Sequence, residues 1–314
     1  MMRLLFTFAM LVIVITMAAV SAAQERGFAD PLLGRWDLSV QGPDGVYPSW
    51  MEVRLRTERS LMAEFVGRFG SRRHAAEVSY SNGDFVLRIP TQYEEGRELV
   101  FTGRLENGRL AGTVRIDDGE PAPWSAMRAP ALAKMQVSAW GEPVALIGDD
   151  LAGWSPRSDR YPGCWQIEDG ILSATPPCVD LVSDATFEDF RLSLEFRYPP
   201  GSNSGVYLRG RYEIQIQDDR DMALDPLRIG GVYGFIAPAE NAARDAGEWQ
   251  SLAVELVGRR VTVVLNDVEI IRAREIPGIT GGALDSDEGS PGPLMLQGDH
   301  GPIEYRNIVV TPAR

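Results

Sequence analysis

Histidine and cysteine are scarce in this 314-residue chain, with two of each. Two cysteines without a neighbouring histidine make a poor zinc site. Basic residues are also short: 31 Lys and Arg against 44 Asp and Glu give a formal net charge of -13. A phosphate-binding surface needs an excess of cations, so nucleic acid is excluded as the expected partner. Nearly all the basic residues are Arg, a matter of composition rather than mechanism. Long apolar runs are missing beyond the N-terminal segment, and no sustained helical period appears in the second half of the chain. What remains is an ordinary globular composition, 44% apolar with 32 glycines, with room for two domains.

The N-terminal segment "MMRLLFTFAMLVIVITMAAVSAA", residues 1–23, carries one Arg, then an apolar run, then small residues. This is the pattern of a signal peptide, with Ser21 and Ala23 or Val20 and Ala22 suited to the peptidase. A membrane anchor is the competing reading, but the run is short for a span and polar, acidic residues follow at once. The expectation is a periplasmic or secreted protein with no stable membrane insertion. In an oxidising compartment Cys164 and Cys178 are expected to pair. They flank "WQIEDGILSATPP", which reads as a hairpin. Two buried free thiols or a metal pair are the alternatives.

Residues 30–128 read as short strands and turns, with Asn82-Gly83 and Asn107-Gly108 as two-residue hairpin signals. This predicts a small antiparallel meander closing into a barrel, lipocalin-like in outline. His74 lies there beside Arg72 and Arg73 and reads as a surface strand residue. The Ala-rich segment 129–143, with a Pro near each end, is the expected linker. Residues 144–314 are again strand-rich with long loops, which most simply pack as two face-to-face sheets.

One stretch there, "NSGVYLRGRYEIQIQDD" at 203–219, splits by alternation. Val206, Leu208, Tyr212, Ile214 and Ile216 form an apolar set; Asn203, Tyr207, Glu213, Gln215 and Gln217 form a polar one. A hairpin with the loop Arg209-Gly210-Arg211 puts Leu208 opposite Tyr212, Val206 opposite Ile214 and Tyr207 opposite Glu213. A two-residue loop would mix the faces. Solvated strand faces favour Lys, Thr, Glu and Arg; a Tyr, amides and one carboxylate together suit sugar hydroxyls. The strand is similar in outline to that of retaining β-glucanases, which carry E-x-D-x-E. Here it reads Glu213-Ile-Gln215-Ile-Gln217, and an amide neither protonates a leaving group nor attacks an anomeric carbon.

The series "GWS" (153–155), "WQIEDGIL" (165–172), "DLVSDATFEDFRLSLEFRYP" (180–199), "NSGVYLRGRYEIQIQD", "GGVYGFIAP" (230–238), "GEWQSLAVELVGRRVTVVLND" and "LQGDHGPIEYRNI" (296–308) resembles, in order, the 3-keto-disaccharide hydrolase family. The resemblance covers residues 144–314 and implies a concanavalin A-like jelly roll. Asp267 departs from the family's usual Gly in the "LNG" turn, a change such a turn tolerates. The implied chemistry acts on a glycoside with a ketone at C3. A base removes the acidified C2 hydrogen, the aglycone leaves from C1, and water adds to the unsaturated sugar.

Such a site needs one base and donors for the enolate oxygen, and it leaves room for a divalent metal. Glu213 is a candidate base or metal ligand. His300 in "QGDHG" is a candidate base, acid or ligand, with a capping role in its loop as the alternative. Arg209 is a candidate to polarise the 3-keto oxygen or else a solvated hairpin tip. Asn203, Tyr207, Gln215, Gln217 and Gln297 are candidate hydroxyl binders, and Tyr233 a candidate pocket wall. The acidic loop with Asp285, Asp287 and Glu288 is weighed as a calcium loop against plain solvation, without known calcium-loop spacing. A non-catalytic, lectin-like carbohydrate-binding protein is the alternative function, and a cell-surface interaction protein a third.

Overall fold

The computed structural model describes residues 31–57, 60–92, 98–115, 120–132 and 136–314. The signal peptide expected at 1–23 lies outside the described residues, as do residues 133–135 of the linker. Every regular element among the described residues is a β-strand.

The first nine strands, from Gly34–Gly42 to Ala122–Arg128, form one antiparallel sheet. Asn82-Gly83 and Asn107-Gly108 turn two of its hairpins, all four residues at positive φ as such turns require. The sheet's two outer strands, Arg73–His74 and Glu77–Ser81, are consecutive in the chain. Between them the Ala75 N–H donates to Ala63 O at 2.9 Å and the Ala76 N–H to Arg88 O at 2.8 Å. One bent stretch thus belongs to both edges of the sheet. The likeness to a lipocalin rests on this outline alone. Trp36, Leu38, Phe65, Phe85, Phe101 and Trp124 fill the interior. His74 is exposed, 3.8 Å from Glu64 Oε1.

Residues 144–314 form the expected sandwich. A five-stranded antiparallel sheet runs in the order Trp154–Pro156, Leu181–Phe187, Gly292–Leu296, Asn203–Leu208, Tyr212–Gln217. The facing eight-stranded sheet is centred on Ile303–Pro312, Phe190–Arg197 and Gln250–Val257. Val206, Leu208, Ile214, Ile216 and Leu296 of the first pack in one cluster with Leu192, Phe196, Val254, Val263 and Tyr305 of the second. Each such buried side chain stabilises by about 1.5–3 kcal/mol, which is why alternation decides which face turns inward.

The two cores touch. Trp50 and Val66 of the first sheet pack into the sandwich's cluster. The Trp50 ring meets Phe235 edge-on at 5.3 Å. Gly278 lies so close that a Cβ there would stand 2.0 Å from Trp50 Nε1. The Arg35–Glu275 ion pair at 2.5 Å crosses the same seam.

Cys164 and Cys178 are joined in a disulfide. It ties the Trp165–Glu168 hairpin to the segment leading into Asp180, where Trp165 Nε1 donates to Val179 O at 2.7 Å. Purified protein is expected to show no alkylatable thiol until it is reduced and unfolded, read by intact mass. Closing a loop of this size stabilises by about 3 kcal/mol, so reduction should lower the melting temperature clearly.

Candidate functional site

The hairpin has the register that alternation requires. Leu208 pairs with Tyr212, Val206 with Ile214, Tyr207 with Glu213, Gly205 with Gln215 and Asn203 with Gln217. Arg209 and Gly210 both take positive φ in the three-residue loop. With the apolar set facing the eight-stranded sheet, the polar set lies on the opposite face of the five-stranded sheet.

Strand pairing extends that face into rows. Glu213, Tyr207, Met295 and Val182 form one, by direct pairing. The next continues the register: Gln215 pairs with Gly205, whose carbonyl accepts from the Gln297 N–H at 2.9 Å. Beyond Gln297, Asp180 Oδ1 accepts from the Gly298 N–H at 3.3 Å, and Asp180 O from the Arg157 N–H at 2.8 Å. The structure therefore brings together Tyr207, Glu213, Gln215 and Gln297, adds Asn203 and Gln217 in a third row, and seats Asp180 and Arg157 beside them.

Glu213 is 3% exposed. Burial pushes its carboxyl up to about 8; the Tyr207 hydrogen bond and the His300 charge oppose that shift, and Asp180 and Asp299 add to it. The Tyr207 hydroxyl also donates to Gly281 O at 2.9 Å. One hydroxyl proton cannot serve two acceptors, so the arrangement fits a neutral Glu213 donating to Tyr207, which donates onward to Gly281. The Gln215 amide lies between Gln217 Oε1 at 3.1 Å and, at its other end, Glu213 Oε1 and Ser204 O at 3.3 Å. An oxygen there would face two acceptors, so the amide nitrogen belongs on the Glu213 side, and the Gln217 amide then turns its own nitrogen toward the Gln215 oxygen. Gly205 makes the room for this carboxyl: a Cβ would stand 2.3 Å from Glu213 Oε1.

His300 comes to the same group from the loop after Gly292–Leu296. Its Nδ1 lies 2.5 Å from Asp299 Oδ1. That bond holds the imidazole above its ordinary value against the effect of burial, and the charges of Asp299, Glu213 and Asp180 act in the same direction. Burial tends to raise Asp299, but its bond to His300, the charges of His300 and Arg157 and a backbone hydrogen bond together leave it lowered. Asp180 is raised by burial against the pull of Arg157, whose Nη1 sits 2.9 Å from Asp180 Oδ2. Gln297 is nearly buried, and its Oε1 has no hydrogen-bond partner. A buried acceptor left open is costly unless a ligand or water fills it.

Tyr233 lies beside the edge strand: its N–H donates to Glu213 O at 3.0 Å, and it is half-buried.

Arg209 is not with this group. It is 1% exposed, and its Nη2 donates to Gly258 O at 2.8 Å and Tyr212 Oη at 3.2 Å. Neither a polariser of the ketone nor a solvated tip, it sits in a buried cluster with Glu288. The calcium reading of the 285–288 loop is likewise corrected. Glu288 is fully buried against Arg259 and Tyr212, Asp285 pairs with Arg211 at 2.6 Å, and Asp287 is exposed, so the three acids point apart. Among the described residues no three His, Cys, Asp or Glu side chains converge as a metal-ligand set.

Arg157 and Asp180 were not anticipated as site residues. They stand 23 positions apart, and only the pairing of their strands brings them to Gln297. Two hollows of about 290 and 560 Å³ lie instead on the outer side of the eight-stranded sheet, around Arg191, Glu255 and Thr262. Arg191 and Glu255 pair with each other there at 2.8 Å across exposed positions.

Comparison with known proteins bears on residues 142–311, which match the family described as the 3-keto-alpha-glucoside-1,2-lyase-like domain. Among solved structures, a candidate glycosyl hydrolase from Parabacteroides distasonis is 25% identical over 54% of this chain and 82% of its own, with a TM-score of 0.46. A second from the same organism is 18% identical over 55% and 94%, also with a TM-score of 0.46. A carbohydrate-binding module from Bacillus subtilis is 16% identical over 50% and 93%, with a TM-score of 0.32. No curated protein matches the chain. Because the match spans more than half of its length, the chain belongs to the 3-keto-disaccharide hydrolase family, and its second domain is a glycosyl-hydrolase-like, carbohydrate-active jelly roll.

Proposed function

We propose that the protein is an exported enzyme that cleaves 3-keto-glycosides by elimination across C1–C2 followed by hydration. The observation that carries this reading is Glu213: an acid buried among amides and a phenol on the polar face, with its carboxyl held up at about 8. A base tuned near neutral pH suits removal of a proton made acidic by an adjacent ketone. Asp180 and Asp299 are nearby, but Arg157 and His300 hold them. Asp218 and Asp219 accept backbone N–H groups of Gly201 and Ile229. None is a free second carboxylate for a conventional retaining or inverting pair.

In the proposed sequence Glu213 takes the C2 proton. The electron pair passes toward the C3 oxygen, where Tyr207 and the amides of Gln215 and Gln297 are the available donors. The C1–O bond then breaks as protonated His300, a form the Asp299 bond favours, gives its proton to the departing oxygen. Water adds at C1 of the enone, returning a proton to His300, and Glu213, its proton exchanged with solvent while the aglycone departs, protonates C2. Net hydrolysis results, and both residues end as they began.

The disulfide and the N-terminal pattern support export. A lectin-like role is the second reading. A pure binding site gains nothing from a buried ionisable acid, since a glutamine would bind hydroxyls without the desolvation cost. Turnover in deuterated water separates the chemistries. Elimination and hydration should place deuterium at C2 of the released 3-keto-sugar, above a no-enzyme control. Active enzyme with no such label would mean direct attack at C1.

A further inference from the structure

The first domain reaches the rim of the same face. Its segment Arg68–Arg72 lies between two loops of the sandwich. On one side the Gly282 N–H donates to Arg68 O at 2.9 Å, and a Cβ on Gly281 would stand 2.2 Å from Gly70 O. On the other, a Cβ on Gly234 would stand 2.9 Å from the Arg72 nitrogen. Both loops are those that border Glu213. Gly281 O accepts from Tyr207, and Tyr233, next to Gly234, donates to Glu213 O. The contacts need glycine on the sandwich side, so the approach is close and fixed rather than incidental.

At the middle of this segment Phe69 is 56% exposed. Its neighbour Arg68 is held by Asp44 at 3.0 Å and lies over the Phe69 ring at 5.0 Å. A large aromatic ring kept in water, with one face braced by a guanidinium, has not been placed for core packing. Beside a face of hydroxyl-binding groups, such a ring offers an apolar platform for the C–H side of a pyranose.

We propose that Phe69 of the first domain forms the outer wall of the sugar site and stacks on the second sugar of the substrate, so that the site is completed by both domains. The inference rests on the sugar-cleaving reading for its choice of ligand. The Glu213 face takes the 3-keto ring, and Phe69 takes the residue attached to it. Phe69 is a specificity residue and touches no reacting atom.

Binding is measured in the Glu213→Gln background, so that the probes are not consumed. Two probes are used in calorimetry, methyl 3-keto-glucoside and a 3-keto-disaccharide. The expected result is a disaccharide affinity that falls about tenfold on adding Phe69→Ala, with the methyl glycoside unaffected and Phe69→Trp restoring the difference. An unchanged disaccharide affinity, an equal loss for both probes, or no binding of either overturns the wall. Because Phe69 is exposed, Phe69→Ala should melt with its parent; a large drop in melting temperature would assign Phe69 a packing role and also overturn it. Turnover of methyl 3-keto-glucoside by the unaltered protein reads the cleavage chemistry separately. Disaccharide preference without turnover keeps the wall and removes the lyase reading, and turnover without a Phe69 effect does the reverse.

Discussion

Glu213→Gln is expected to lower turnover of a 3-keto-glycoside by about 10²–10⁴-fold, the usual contribution of a positioned base. The substitution is nearly isosteric with the neutral acid. The new amide keeps a donor for Tyr207 and lies beside Gln215, so loss of rate reports loss of the proton acceptor rather than of packing. In the unaltered enzyme kcat/KM should rise as pH passes through about 8, because Glu213 must be deprotonated to act. Activity also needs the proton that His300 gives to the leaving group, which the Asp299 bond favours, so its loss lowers kcat/KM. The rising limb should be absent from whatever activity Glu213→Gln retains. His300→Ala should remove most activity as well, and a glycoside with a good leaving group should recover part of it, since protonation then matters less.

The same residue sets a pH dependence of stability. The folded value, about 8, lies above the ordinary 4.5. Its contribution is therefore fully present below about pH 4.5 and is lost as pH rises through about 8. At pH 9 the carboxylate is buried and charged, at a cost of about 3–5 kcal/mol by linkage. Glu213→Gln removes that term. Its melting temperature should match the parent's at pH 4.5 and exceed it at pH 9. Equal melting at both pH values, together with full activity, would place the chemistry on another face of the sheet.

The second large effect is expected at Glu288, far from turnover. Its Oε1 accepts from the Tyr212 hydroxyl at 2.7 Å and from Arg259 Nε at 3.0 Å, and its Oε2 pairs with Arg259 Nη2 at 2.5 Å. Glu288 is fully buried, as nearly is Arg259. Removing one partner of a buried ion pair leaves the other uncompensated, at about 3–5 kcal/mol. Glu288→Ala should lose that much in urea unfolding. Glu288→Gln, which keeps an acceptor for Tyr212, should lose less. A loss below about 1 kcal/mol for Glu288→Ala would mean that water reaches the cluster. Asp37 of the first domain abuts Glu288, and burial with that neighbour pushes its carboxyl up to about 9. Glu288 thus touches the first domain as well as Arg259, so the alanine substitution should also loosen the seam between the domains.

The features legible in the sequence are those with short-range causes. Side-chain period two, with apolar residues on one phase only, admits a single register for 203–217, and the structure has it. Asn-Gly pairs make tight turns because they tolerate positive φ, wherever the chain then goes. The polar face with Glu213, Gln215 and Tyr207 was visible for the same reason, as was the jelly roll through its ordered segments. Tertiary structure alone decided the rest. Arg209 follows a strand whose direction is known, but whether the hairpin tip meets water or protein depends on the loop carrying Glu288, far later in the chain; that loop buried it. Arg157 and Asp180 became neighbours of Gln297 because strands distant in sequence pair side by side. Phe69 reached the rim because two domains dock through Trp50, Gly234 and Gly281. Local pattern sets which way a side chain points from its own strand; what it meets there is set by packing between segments that share no sequence signal.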